Sequence, residues 1–244
     1  MIFVLLWRDF SWGEDFDYLW ESFLKGDYHK VINTSEGLGS KGTRDKLSAD
    51  FYYLLGMSYL QIGDSILARN NFNFLLEKYA QSEWRDYAKL ALGDSFFIEH
   101  DFTKAAEFYQ NFIEKNKKSP LLSLAYFKLA ETKRKQGLWE EAKKLYEKIK
   151  SVFPHSLEAK LSRDIISNNE FFFTLQVGSF LNKENANKLV EELNAQDFPA
   201  YLSGIAKSGQ VYYRVRVGKF LNRSECENTR KRLIKAGYTP YLYP

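Results

Sequence analysis

Leu175 to Asn182 reads LQVGSFLN, and forty residues later Val215 to Asn222 reads VRVGKFLN. The two phrases belong to a longer repeat, because Val177–Leu202 aligns with Val217–Leu242 without a gap. Val177, Gly178, Phe180, Leu181, Asn182, Leu193, Tyr201 and Leu202 match Val217, Gly218, Phe220, Leu221, Asn222, Leu233, Tyr241 and Leu242. Phe198 pairs with Tyr238, and Lys183 with Arg223. Each copy reads as strand, helix, strand. FFFTLQV and VYYRVRV are rich in β-formers. Asn182 and Asn222 stand where an N-cap belongs, and Glu225 follows Asn222 at the capping-box offset. Ala186, Leu189, Val190 and Leu193 form a helical stripe, and Gly237 suits a left-handed helix end. AKSGQ supplies the turn between copies. The sum is β-α-β-β-α-β, an α+β plan in which helices cover one face of a four-stranded antiparallel sheet and leave the other open.

Strand alternation assigns residues to that open face. Val211, Tyr213, Val215 and Val217 form the apolar set of the third strand, so Tyr212, Arg214 and Arg216 point away from the helices. With Leu175 and Val177 inward, Thr174 and Gln176 point outward. With Leu202 and Leu242 inward, Tyr201, Tyr241 and Tyr243 point outward. Guanidinium groups, an amide and several tyrosines on one platform can stack on flat ligand faces and hydrogen-bond to their edges.

The stretch FTLQVGSFLNKENANKLVEEL…VYYRVRVGKFLNRSECENTRKRLIKAGYTPYLY resembles the SPOR (sporulation-related repeat) domain. The resemblance covers essentially all of 171–243, and the domain is assigned to 169–244. Its carriers are the doubled x-V-G-x-F, the Gln before the first copy and the aromatic-x-Arg-Val before the second. It implies binding to bacterial peptidoglycan, with preference for glycan strands stripped of stem peptides. Carried over by motif, the contacts are Gln176, Ser179, Tyr212 and Arg214, with Thr174 and Arg216 added by alternation. The family often has Trp at the place of Tyr212, so this chain offers less stacking area there.

Residues 1–168 carry a different repeat. Gly26-Asp27, Gly63-Asp64, His100-Asp101 and Gly137-Leu138 are turn signals spaced 37 residues apart. At the same interval stand Gly56, Gly93 and Ala130, then Ala68, Ala105 and Ala142, then Phe72, Tyr109 and Tyr146. Small residues on paired helices let the backbones approach, and the large rings fill the space between them. Tyr52, Leu55 and Tyr59, and likewise Tyr126 and Leu129, keep the helical spacing. YYLLGMSYLQIGDSILARNNFNFLLEKY is similar to a tetratricopeptide (TPR) repeat. Pro154 closes a repeat where that family often has proline. The resemblance implies an all-α solenoid with a degenerate first repeat around Leu19–Ser35, repeats at about 48–80, 84–117 and 121–154, and a closing helix at 156–167. It also implies a groove for a protein partner. The 37-residue interval resembles envelope TPR proteins of bacteria. A break between the parts is expected in SNNE, near Ser167–Glu170.

Composition narrows the function classes. Of 244 residues, 45% are hydrophobic and 27% charged, which fits a globular chain and excludes a disordered one. The net charge of +4 lies wholly in 169–244, too mild for a nucleic-acid stripe. An open βαββαβ sheet with aromatics also suits an RNA-binding module, but VYYRVRVGKF lacks the K/R-G-F/Y-G/A-F-V-x-F/Y motif. That module and a small-molecule regulatory domain are the alternatives, and nucleic acid is not expected. His29, His100 and His155 lie apart along the helical array, with no metal cluster, nucleophile elbow or phosphate loop. No catalytic residue, metal or cofactor is expected. Cys226 falls on a helix at a small position and reads as a buried thiol. No stretch is long enough for a spanning helix. MIFVLLW has no basic residue before it and no cleavage site after it, and no cysteine near the start could carry a lipid. A wall ligand therefore leads us to expect an envelope location with a leader upstream of this sequence, or an unrecognised export route.

Overall fold

The computed structural model describes residues 14–38, 48–169, 171–207 and 209–244. The expectations for MIFVLLW, Glu170 and Ser208 lie outside the described residues. Packing divides the chain into two compact units, one ending at Leu129 and the other running from Ala130 to Pro244.

The first unit is built of helical hairpins: α1 (Glu14–Leu24) with α2 (Tyr28–Leu38), α3 (Ala49–Gln61) with α4 (Ser65–Lys78), and α5 (Trp84–Ile98) with α6 (Phe102–Lys115). The turn residues Gly26, Gly63 and His100 have φ of +85°, +86° and +61°, the left-handed geometry the sequence signals predicted. The aspartates after the last two cap the following helices. Asp64 accepts from the Leu67 amide at 3.0 Å, and Asp101 from the Lys104 amide at 3.1 Å.

The 37-residue repeat is a steric device. A Cβ on Gly56 would lie 2.5 Å from the Phe72 ring, and one on Gly93 would lie 2.5 Å from the Tyr109 ring. Both rings are fully buried, as is Tyr146 at the third position. Each such burial contributes about 1.5–3 kcal/mol. Two of the three rings carry a hydroxyl, and each has an acceptor one residue beyond the small residue. Tyr109 donates to Asp94 at 2.6 Å, and Tyr146 donates to Glu131. Where the ring is Phe72, which has no hydroxyl, that neighbour is the apolar Met57. Each hydroxyl is thus satisfied, or absent, within one repeat.

The second unit begins in the last residues of α7 (Leu122–Lys135) and continues through α8 (Trp139–Val152) and α9 (Leu157–Ser167). Then follow β1 (Phe173–Phe180), α10 (Lys183–Ala195), β2 (Ala200–Lys207), β3 (Gln210–Phe220), α11 (Arg223–Lys235) and β4 (Tyr241–Tyr243). The strands form one sheet in the order β2-β3-β1-β4, antiparallel throughout. Asn182 caps α10 by accepting from the amides of Glu184 and Asn185, and Asn222 caps α11 by accepting from Glu225. Asp197 and Gly237 follow the two helices with φ of +61° and +92°. Leu175, Val215 and Val217 on the sheet, and Ala186, Leu193, Cys226 and Leu233 on the helices, make the core.

Packing does not divide the chain at the expected break near Ser167–Glu170. The cause is a run of contacts between the last helical hairpin and the sheet. The Trp139 ring stands edge-on to Phe173 at 4.8 Å, and its Nε1–H donates to the Leu221 carbonyl at 2.7 Å. Phe171 lies 6.2 Å from Tyr146. Gly137, with φ of +77°, leaves room for Phe173, whose ring a Cβ would meet at 3.0 Å. The short polar segment is a boundary of motif but not of packing.

Two consequences are measurable. Gly93→Ala gains helix propensity but drives a methyl into the Tyr109 ring, so denaturant unfolding should show a net loss of about 1–3 kcal/mol. Burial pushes the Cys226 thiol up to about 12. It stays neutral below that pH, so a thiol reagent at pH 8 should label the native chain far more slowly than the chain in denaturant.

Candidate binding face of the sheet

The open face depends on an irregularity in β1. Gln176 pairs with Arg216, but Gly178 pairs with Val215, so the partner strand advances one residue while β1 advances two. This β-bulge at Val177 reverses the alternation beyond it. Regular alternation would set Ser179 on the same side as Leu175. The bulge instead sets Ser179 beside Arg214, on the face of Gln176. Gly178 permits this because its Cβ would lie 2.6 Å from the Phe180 ring and 3.1 Å from Leu189. The second copy repeats the device. The register shifts again between the Leu175–Val217 and Phe173–Phe220 pairs. Gly218 there has φ of +70°, and its Cβ would lie 2.2 Å from the Phe220 ring. In both copies of V-G-x-F the glycine lies under the ring two residues on.

Cross-strand pairing then assembles the face in rows. Tyr201, Arg216, Gln176 and Tyr241 follow one another across all four strands. The next row is Ser203, Arg214 and Ser179, and beyond it Ile205 stands opposite Tyr212. Adjacent strands are roughly 4.8 Å apart and successive rows roughly 6.7 Å apart. Ser179 is exposed, and Gln176, Tyr212 and Arg214 are half-buried. Tyr241 is 66% exposed at the edge. Tyr213 faces the helices and packs against their core.

Two of the expected face residues are not available to a ligand. Thr174 is fully buried and Arg216 is 7% exposed. The Thr174 hydroxyl donates to the Val217 carbonyl at 3.2 Å and accepts from Tyr201, which spans the intervening strand to reach it at 3.1 Å. The Arg216 guanidinium lies under the Tyr243 ring, 4.5 Å from its centroid. On Tyr243 also rests the guanidinium of Arg134 from α7, at 5.8 Å. Burial works against the charge of Arg134, but Glu131, Tyr146 and Tyr243 outweigh it and raise its pKa above the ordinary value. Alternation assigned the side of the sheet correctly for both residues. It could not show that α7 and Tyr243 cover that end. Thr174 and Arg216 are therefore supports of the face.

Ser203 and Ile205 belong to the exposed face and were missed. The signal was present, since both follow Tyr201 at strand spacing.

Residues 169–244 match the SPOR domain. SPOR is a peptidoglycan-binding family, and its match begins four residues before β1 and ends with the chain. Residues 124–156, which include α8, match a tetratricopeptide repeat. A TPR repeat-containing protein of Treponema pallidum (strain Nichols) is 32% identical over 90 residues, 35% of this chain and 35% of that protein. The chain thus spans about a third of the length of that curated relative. Among solved structures, the RlpA SPOR domain from Pseudomonas aeruginosa is 28% identical, covering 30% of this chain and 97% of that one, with a TM-score of 0.27. The TPR-like repeats of a Podosopora anserina kinesin light chain align over 74% of this chain and 92% of that one, at 14% identity and a TM-score of 0.51. That second likeness is one of helical fold. SPOR domains and TPR repeats are typically binding modules without catalysis. Among the described residues no helix is long and apolar enough to cross a membrane.

The two tyrosines at the head of β3 test the register. Tyr212→Ala should leave the thermal midpoint nearly unchanged, while Tyr213→Ala should cost about 2 kcal/mol because its ring packs on the core. The opposite order in thermal melts would mean that the faces are exchanged.

Proposed function

We propose that this chain is a non-catalytic peptidoglycan-binding protein of the bacterial cell envelope. In this reading its SPOR domain takes glycan strands that lack stem peptides, and its helical repeats engage a protein partner. One observation carries the reading: the bulge at Val177 sets Ser179 beside Arg214 on the same face as Gln176, and Tyr212 lies one row further on. The chemistry fits a saccharide. The Tyr212 ring can lie against the apolar face of a sugar. The Gln176 amide and Ser179 hydroxyl can bond to acetamido and hydroxyl groups. The Arg214 fork matches a lactyl carboxylate, which is free only where the peptide has been removed. Preference for stripped strands follows, because an amide at that position offers Arg214 no charge. A role in cell division or wall remodelling, where such strands arise, accords with this specificity.

Sedimentation of the full chain with purified sacculi tests the proposal. The chain should pellet with sacculi, and more of it after amidase treatment. Equal recovery with and without sacculi would overturn the reading. Arg214→Lys should reduce the gain that amidase treatment confers, since an ammonium cannot reproduce the planar fork.

A further inference from the structure

The open face does not end at a bare edge. Where β1 begins and β3 ends, the turn from α7 to α8 stands against the sheet, and a cleft of about 580 Å³ opens there. Trp139, Phe171 and Phe172 give it three rings, and Glu140, Asn169 and Lys219 give it polar groups. Trp139 is held in place by its bond to the Leu221 carbonyl and its edge-on contact with Phe173. Lys219 joins the cleft to the sheet face. Its ammonium lies 5.2 Å from the ring centre of Phe172, in the cleft, and 5.2 Å from that of Tyr201, on the face. Tyr201 stands in the same row as Gln176. Face and cleft are therefore contiguous.

We propose that this cleft is a further saccharide subsite, filled by the continuation of the glycan strand that lies on Gln176, Ser179, Tyr212 and Arg214. The inference rests on the function proposed above. Continuity selects the occupant. Lys219 and Tyr201 link the cleft to the face on which the glycan is placed, and the Glu140 and Glu141 carboxylates that line the cleft can accept hydrogen bonds from sugar hydroxyls. A polymer of rings with apolar faces and hydroxyl edges suits both surfaces, since aromatic walls with a few placed polar groups hold such rings. Distance selects a polymer over a short ligand. Tyr212 and Lys219 stand seven positions apart along β3, roughly 23 Å at strand rise. A strand lying along the face reaches the cleft only if it is long enough to cover that distance. The last helical hairpin then supplies part of the glycan site, and the SPOR domain alone supplies an incomplete one.

Binding of the full chain to peptide-free glycan strands, separated by length, tests this. The variants are Phe172→Ala and Lys219→Ala. Neither side chain belongs to the buried core, and Lys219 is exposed, so its replacement keeps the test valid if Phe172→Ala lowers stability. The native chain should bind long strands more tightly than strands too short to reach Lys219. Each variant should lose about threefold to tenfold on long strands and nothing on short ones. Variants that keep the native length dependence would overturn the subsite while leaving the proposed function intact. Failure of the native chain to bind any peptide-free strand would instead overturn the proposed function, and the subsite with it.

Discussion

One extra residue in β1 governs the open face of the sheet. Between the Gln176–Arg216 and Gly178–Val215 pairs the strand gains a residue on its partner, and every side chain beyond exchanges faces. Without the bulge Ser179 would turn towards the helices and Phe180 would face solvent. With it, a polar residue joins the row of Arg214 and an aromatic ring joins the core. The cost is a backbone approach that admits only hydrogen at Gly178 and Gly218.

The same physical device recurs in the helical part. Gly56 lies under Phe72 and Gly93 under Tyr109, as Gly178 lies under Phe180 and Gly218 under Phe220. In both architectures a glycine gives a ring a seat that no larger residue allows. The difference lies in range. In the sheet, ring and glycine are two residues apart. In the helices they lie on successive helices of one hairpin, sixteen residues apart.

The packing of the last hairpin against the sheet divides the face into a free part and a covered part. Arg134 and Tyr243 close over Arg216, while Trp139 and Phe173 seal the end of β1. Burying an arginine against a ring removes one cation from the open face and leaves Arg214 as the accessible guanidinium of β3. What remains open is the end bearing Tyr212, Ser179 and Arg214, together with the approach past Tyr201 and Lys219 to the junction cleft.

Both architectures were legible in the sequence because each rests on short-range periodicity. The 37-residue interval showed as small residues and rings in fixed places, and the doubled V-G-x-F showed as two βαβ halves with asparagine caps. Gln176, Tyr212 and Arg214 were assigned to one face because alternation is a local property of the strand. Ser179 was a different case. Its place came only by family resemblance, since a bulge depends on how the partner strand pairs and leaves no period of its own. Thr174 and Arg216 point as alternation says, yet they are buried by Tyr201, Tyr243 and Arg134, residues 27 to 82 positions away. Which side of a sheet a residue faces is decided by its neighbours along the chain. Whether that side meets water is decided by what the rest of the chain lays upon it, and only the tertiary structure contains that.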